Sequence, residues 1–118
     1  MTNLLKETLQ DIEYFGHKVQ DIVFIGSIGS GYSCTWAEFL VLADIEYYSG
    51  FGGQKVASDL TIVFSDGSTM WRSEYDGSEW WAYSKPAEIP KEQKKISKLT
   101  GGMWATLADL HDKPSLTK

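Results

Sequence analysis

The sequence is poor in the residues that build disulfides and metal sites. Its 118 residues include one cysteine, Cys34, and two histidines, His17 and His111. A lone cysteine excludes a disulfide within the chain and agrees with a reducing compartment. The spacing of these three residues matches no zinc-binding pattern, so we expect no metal and no cofactor.

A long apolar run is also lacking. No stretch is long enough to cross a bilayer, and Met1–Lys6 has neither the basic start nor the apolar stretch of a signal peptide. We therefore expect a cytoplasmic protein that has no membrane partner. Five Trp, six Tyr and five Phe supply enough apolar surface for a core. These counts predict a single domain over residues 1–118, with a frayed tail at 114–118.

Charge is unevenly distributed along the chain. The net charge is -5, with a net charge of -8 over residues 1–79 and +3 over residues 80–118. Because affinity for a nucleic-acid backbone comes from Lys and Arg, direct binding of nucleic acid is disfavoured. One basic cluster stands out, Lys91, Lys94, Lys95 and Lys98. We interpret it as a solvated segment.

The strongest local pattern predicts a three-stranded meander over residues 58–84. Two Asp-Gly pairs, Asp66-Gly67 and Asp76-Gly77, join three alternating apolar runs there. Asp-Gly between such runs is typical of a two-residue hairpin turn, which needs positive φ at both central residues. The antiparallel meander is the centre of the predicted fold.

The remaining elements are predicted from apolar spacing and capping patterns. They are a helix over Thr2–Phe15, a strand over Asp21–Gly26, a helix from Trp36 to about Glu46 after the capping box Thr35-x-x-Glu38, an edge strand near Lys95–Thr100 and a helix after Gly101-Gly102. The predicted fold class is therefore α+β, an antiparallel sheet with two or three helices packed on one face.

Two-residue turns at both Asp-Gly pairs would fix the register of the meander. One face would then carry Leu60, Ile62, Phe64, Trp71, Tyr75 and Trp80, and we predict that this face is the core. The opposite, outer face would hold three carboxylates in one cross-strand row, Asp59, Glu74 and Glu79. Arg72, Trp81 and Tyr83 would follow in the next two rows.

A row of like charges needs an explanation, because directly opposed like charges destabilise a sheet. Three explanations are open. The row lies at a solvated sheet end where Arg72 screens the charges, it forms a cation or acid/base site, or it recognises a basic partner. In the third interpretation the binding residues are Asp59, Glu74, Glu79, Arg72, Trp81 and Tyr83, with the aromatic rings as anchors.

Two further features suggest chemistry but fit known patterns poorly. Gly26, Gly29 and Gly31 lie between a strand and a helix, as in a phosphate-binding loop, but their spacing is not that of a dinucleotide or P-loop motif. We interpret the loop as a connector, with an anion site as the alternative. Cys34 precedes a helix, but no histidine is placed beside it, so a structural role is expected rather than a nucleophilic one.

Several strings resemble those of small proteins encoded by phages and conjugative elements of Gram-positive bacteria. They are Ile25-Gly26-Ser27, Ser30 to Trp36, Leu42-Ala43-Asp44, and Glu74 to Trp81. The resemblance implies an accessory factor that acts on the host. Such a small acidic protein is similar in character, by class and not by motif, to the anti-CRISPR proteins, which bind a nuclease and block its nucleic-acid groove.

These observations predict a non-enzymatic protein of a mobile element. It would bind a basic surface of a host protein or protein–nucleic acid complex, as an inhibitor of a host defence or nucleic-acid-handling complex. The alternative is a module that binds a small ligand through aromatic side chains on the outer sheet face.

Overall fold

The computed structural model describes residues 1–50 and 52–112. It contains two compact units, residues 1–87 and 88–118. The expectation of a single domain over 1–118 stays a prediction, and the expected frayed tail at 114–118 lies outside the described residues.

The first unit begins with a short strand and a helix. Strand β1 (Thr2–Asn3) leads directly into helix α1 (Leu4–Tyr14). The Asn3 side chain caps the helix by accepting a hydrogen bond from the Lys6 amide at 3.0 Å. Gly16, with φ +83°, ends it as expected from the sequence.

Strand β2 (Ile22–Gly26) and helix α2 (Trp36–Leu42) follow. The predicted capping box is confirmed, since Thr35 accepts from the Glu38 amide and Glu38 accepts from the Thr35 amide. The helix ends earlier than predicted because the chain enters strand β3 (Glu46–Tyr47), which pairs with β1.

The main sheet has four antiparallel strands in the order β2-β4-β5-β6. The meander supplies the last three, β4 (Thr61–Phe64), β5 (Thr69–Tyr75) and β6 (Ser78–Ser84). The predicted α+β class and the meander are therefore confirmed.

The two Asp-Gly turns differ in geometry. Asp76 and Gly77 both have positive φ, 52° and 86°, and Tyr75 pairs with Ser78, as predicted for a two-residue turn. At the other pair only Gly67 has positive φ, and the Phe64 amide bonds the Ser68 carbonyl. Residues 65–67 thus form a three-residue loop with glycine in the left-handed position.

This extra loop residue overturns the predicted register between β4 and β5. Met70 pairs with Ile62, where the two-residue turn predicted Val63. Because a slip of one residue moves every side chain of a strand to the other face, β5 and β6 are turned over relative to the prediction. Ile62 and Phe64 face the core as predicted, but Trp71, Tyr75 and Trp80 face outward.

The core lies between the sheet and helices α1 and α2. We call the sheet face that packs on these helices the inner face and the opposite one the outer face. The core comprises Leu4, Ile12, Ile25, Phe39, Ala43, Tyr47, Ile62, Phe64, Met70 and Trp81.

The second unit is described for residues 88–112, and none of these is buried. The predicted edge strand at 95–100 is not formed. The predicted final helix is shorter than expected, α3 (Leu107–His111), with Thr106 as its cap. Trp104 precedes it, 89% exposed and with φ +66°.

Candidate functional site

Arg72 lies at the centre of a buried polar cluster on the inner face, where it is 3% exposed. Its guanidinium donates hydrogen bonds to Glu79 at 2.9 Å, to the Tyr47 hydroxyl at 2.8 Å and to Glu7 at 3.3 Å. It also lies over the ring of Trp81, 5.0 Å from the ring centroid. The predicted position of Arg72 on the outer face is therefore wrong.

The ionisation of this cluster follows from its contacts. Burial alone would lower the pKa of Arg72, but the hydrogen bond to Glu79 and the charge of Glu7 outweigh it, so the pKa is raised. Burial and the hydrogen bond that Tyr47 donates to Glu7 at 2.5 Å raise the pKa of Tyr47 to about 12. Neither Arg72 nor Tyr47 is suited to proton transfer near neutral pH.

Glu79, the second predicted site residue, is also buried on the inner face. Its carboxylate accepts from the amides of Lys55 at 2.6 Å and Val56 at 3.3 Å, and its own amide donates to the Ser49 carbonyl at 2.9 Å. Glu79 therefore fixes the connection between β3 and β4 onto β6. Its contacts explain its burial as structural.

Trp81 and Tyr83 pack against helix α1 and the turn after it. The Trp81 indole donates to the Thr8 hydroxyl at 2.9 Å. The Tyr83 hydroxyl and His17 Nε2 share a hydrogen bond of 2.6 Å, and the Tyr83 ring stacks on Phe15 at 4.4 Å. These two aromatic rings are core contacts of the inner face, which corrects the predicted outer location.

Asp59 and Glu74, the remaining predicted binding residues, are exposed. Glu74 pairs with Glu79 across the ladder as predicted, but its carboxylate turns to the β5–β6 turn and accepts from the Gly77 amide at 2.9 Å. Asp59 lies before β4. The predicted row of three carboxylates is not formed, because the register has shifted and Glu79 is neutralised by Arg72.

Three other aromatic side chains occupy the outer face: Trp71, Tyr75 and Trp80, which we call the outer aromatic face. Trp71 is 37% exposed, Trp80 41% and Tyr75 76%. Their predicted place in the core is wrong.

Each ring of the outer aromatic face has a small residue opposite it on the neighbouring strand. On the β5–β6 ladder Trp71 pairs with Ala82, and the other two aromatic residues pair with serines, Ser73 opposite Trp80 and Ser78 opposite Tyr75. On its other side Trp71 pairs with Thr61 of β4. Within the described residues, none of the three rings stacks on another aromatic ring. The space beside each ring is therefore not filled by a bulky cross-strand neighbour.

Exposed carboxylates lie near one end of this sheet. Asp76 lies in the β5–β6 turn, directly after Tyr75. Glu74 is also exposed, but it alternates with Arg72 and pairs with Glu79, so it lies on the inner-face side of β5. Asp59 lies just before β4 and lines the hollow beside Cys34. The only arginine of the sequence, Arg72, is buried on the inner face. Asp76 therefore places negative charge next to the outer aromatic face.

The loop with Gly26, Gly29 and Gly31 reverses the direction of the chain within a few residues. Gly26 forms a bridge with Ser33, and a Cβ at Gly26 would lie 2.1 Å from the Tyr32 carbonyl oxygen. The amides of Ser27, Ser30, Gly31 and Tyr32 all donate within the loop. The arrangement fits the connector that the sequence predicted better than an anion site, because these donors are already used.

Cys34 is partly buried beside this loop. Burial and the charge of Glu38 raise the pKa of its thiol, which disfavours the reactive thiolate. His17 bonds Tyr83, and the ring nitrogens of His111 bond Ser97 and Leu107. Among residues 1–50 and 52–112, no group of three or more His, Cys, Asp or Glu side chains is arranged to hold a metal ion.

Two hollows lie near helix α2. One of about 410 Å³ is formed by Ala37, Glu38, Val41 and Leu42. Another of about 240 Å³ lies between Cys34 and Leu60. The first is lined mainly by apolar side chains, whereas the lining of the second also includes Tyr32, Ser33 and Asp59.

Sequence reasoning thus missed the exposed aromatic residues that the structure brings together. The residues were visible in the meander, but an assumed two-residue turn at Asp66-Gly67 assigned them to the core. The signal that separates the two turns is weak, because Asp-Gly also suits a three-residue loop with glycine in its last position.

None of the described helices has the length and apolar character needed to cross a membrane. No protein-family model, no curated protein and no solved structure matches this chain.

Proposed function

We propose that this protein is a non-enzymatic binding protein whose outer aromatic face docks on a basic surface of a host protein or protein–nucleic acid complex. The observation that carries the proposal is the exposure of Trp71, Tyr75 and Trp80 on one sheet face. Aromatic side chains, Trp and Tyr above all, supply most of the binding energy at protein interfaces.

Charge selects the class of partner. Residues 1–87 carry twelve acidic and five basic residues, a net charge of -7. Asp76 adds an exposed carboxylate at the turn beside the outer aromatic face. A negative surface attracts a basic protein and repels the phosphates of a free nucleic acid.

The absence of an enzymatic activity is part of this proposal. The raised pKa of Cys34 and the structural contacts of the Arg72 cluster support it. Because we assign Cys34 a structural role, Cys34→Ser should keep full affinity for the partner, and this variant serves as a control below.

The setting that we propose is the cytoplasm of a Gram-positive host, where the protein acts as an accessory factor of a phage or conjugative element. In this setting it inhibits a host defence or nucleic-acid-handling complex, as anti-CRISPR proteins do. This part of the proposal rests on the sequence resemblance and on the acidic character of the chain.

Affinity capture with paired variants tests the proposal. Immobilised parent protein is compared with Trp80→Ala and with Tyr14→Ala, which truncates an exposed aromatic side chain of helix α1. Host proteins retained by the parent, Cys34→Ser and Tyr14→Ala but lost with Trp80→Ala are identified, and their binding is measured by calorimetry at several salt concentrations.

The expected result is one basic protein whose affinity falls at least about tenfold with Trp80→Ala and falls further as salt is raised. Retention of the same proteins by Trp80→Ala would show that the outer aromatic face is not the interface. A small molecule that raises the melting temperature of the parent but not of Trp80→Ala would instead favour the small-ligand alternative.

A further inference from the structure

We infer that the group recognised by the outer aromatic face is the guanidinium of an arginine side chain of the partner. The inference rests on the proposed function and specifies its chemistry. It follows from the spacing of Trp71 and Trp80, the small residues beside them and the carboxylate of Asp76 at the β5–β6 turn.

The register sets the spacing at which the two tryptophans leave the sheet. Trp80 lies opposite Ser73, and Ser73 is two residues from Trp71 on the same strand face. The Cα atoms of such diagonal neighbours are separated by about 7–8 Å. This backbone spacing is comparable to the space that a planar group needs between two rings, about 3.5–4.0 Å on each side.

Small side chains keep the region around the indoles open. On the β5–β6 ladder Ala82 lies opposite Trp71 and Ser73 lies opposite Trp80, and on its other side Trp71 lies opposite Thr61 of β4. Neither indole stacks on another aromatic ring in the described part of the chain. Trp71 is 37% exposed and Trp80 is 41% exposed, so a part of each ring is accessible to a ligand.

The carboxylate of Asp76 and the net negative charge of the first unit favour a cation over a neutral planar group. Asp76 lies at the turn next to Tyr75 and is exposed. Carboxylates accept paired hydrogen bonds from the guanidinium fork, while aromatic rings attract its positive charge. A nucleotide base has the required planarity, but its phosphate is repelled by the net charge of -7.

Arginine fits this surface better than lysine. Its guanidinium is flat, weakly hydrated and able to stack on a ring while it donates sideways to carboxylates. The ammonium of lysine is a strongly hydrated point charge that gains little from a second ring.

On the inner face of the same sheet, an arginine of this chain already contacts aromatic rings and carboxylates in this way. There the Arg72 guanidinium lies 5.0 Å from the Trp81 ring centroid and 5.6 Å from that of Tyr47, with Glu7 and Glu79 as acceptors. The outer face offers aromatic rings, with Asp76 at the adjoining turn, and it has no arginine of its own.

Two peptides of equal charge test the inference. The probes are an eight-residue peptide of alternating Gly and Arg and its counterpart of alternating Gly and Lys, titrated at low salt and followed by tryptophan fluorescence and calorimetry. We expect the Arg peptide to bind the parent protein about three- to tenfold more tightly than the Lys peptide.

The variants assign this preference to the outer aromatic face. Trp71→Ala and Trp80→Ala should each abolish the preference for the Arg peptide, and Tyr14→Ala should retain it. Asp76→Asn should weaken both peptides similarly, because it removes charge without removing a ring. Thermal unfolding of every variant shows whether a loss of peptide binding comes from a loss of the folded structure. Trp80→Phe keeps an aromatic ring and should therefore retain part of the preference for the Arg peptide.

The outcomes separate the inference from the proposed function. Equal affinity for the two peptides, lost with Trp80→Ala, would overturn the arginine inference and leave the basic partner standing. No binding of either peptide would count against both. Tighter binding of adenosine than of the Arg peptide would overturn the inference and favour a small planar ligand.

Discussion

The two faces of the four-stranded sheet carry similar residues in opposite settings. The inner face buries Trp81 with Arg72 and Glu79, whereas the outer face exposes Trp71 and Trp80. On the inner face Arg72 and Glu79 form an ion pair, and the Trp81 indole donates a hydrogen bond to Thr8 of helix α1. On the outer face the rings have small cross-strand neighbours.

The difference teaches that residue type alone does not identify a binding surface in this chain. An Arg, a Glu and a Trp in adjacent rows look like a recognition site in the sequence, but here they hold α1, β3 and β6 together. Buried charges persist only when they are paired and hydrogen-bonded, and this requirement explains the contacts around Arg72. The candidate binding residues are those that lack such contacts.

The largest expected effect comes from breaking the charge cluster of the inner face. Arg72→Met leaves Glu79 buried without its cation, which should lower the free energy of unfolding by about 3–5 kcal/mol. Urea denaturation followed by circular dichroism measures the change. Lys18→Met, which removes an exposed positive charge, is the control and should change stability by less than about 0.5 kcal/mol.

A double variant separates charge from packing in this result. Arg72→Met combined with Glu79→Gln removes both charges and should recover part of the lost stability. A loss for Arg72→Met no larger than that for Lys18→Met would mean that the inner face does not bury this charge.

An intermediate effect is expected at the turn that decides which residues lie on which face. Gly67 has φ +89°, and a Cβ there would lie 3.3 Å from the Pro86 side chain. Gly67→Val should therefore cost about 1 kcal/mol or more, because a β-branched residue resists positive φ. Gly77→Val should cost a similar amount at the second turn.

Gly29→Val is the matched control for these turn variants. Gly29 does not have left-handed φ, and a Cβ there would meet no atom within 4 Å. Its melting temperature should stay close to that of the parent. Equal melting temperatures for Gly67→Val and Gly29→Val would argue against a left-handed glycine in the first turn.

The smallest effect concerns a carboxyl of helix α1 near the inner cluster. Burial and the charge of Glu7, opposed by Arg72, raise the pKa of Asp11 above its usual 3.8. A raised pKa means that the folded state holds the proton more tightly, so this group lowers stability as pH rises through the interval between the unfolded and folded pKa values.

Asp11→Asn should therefore be slightly more stable than the parent near neutral pH, by less than about 0.5 kcal/mol. The advantage should shrink as pH falls through the folded pKa of Asp11. Thermal unfolding as a function of pH measures it, with Glu13→Gln on the exposed side of the same helix as control. A constant difference at all pH values would exclude the titration of Asp11 as its cause.

Local signals in the sequence predicted the elements well. The capping box at Thr35, Gly16 after α1 and the Asp-Gly pairs all act within a few residues, and each is found where expected. The predicted register between β4 and β5 was wrong because the pair Asp66-Gly67 fits both a two-residue turn and a three-residue loop. The candidate binding residues Arg72, Glu79, Trp81 and Tyr83 were therefore placed on the outer face, although they lie on the inner one. For the same reason Trp71, Tyr75 and Trp80 were placed in the core, although they are exposed.

The contacts of helix α1 have a consequence for the time at which this protein can fold during synthesis. The helix and the turn after it are made well before their partners. Thr8 bonds a residue 73 positions later, and Glu7 and His17 bond residues 65 and 66 positions later. At about 5–20 residues per second, those partners are added roughly 3–15 seconds after the helix. Until β6 exists, the apolar side of α1 remains available to chaperones and proteases, and the first unit can close only when residues 79–84 have been added.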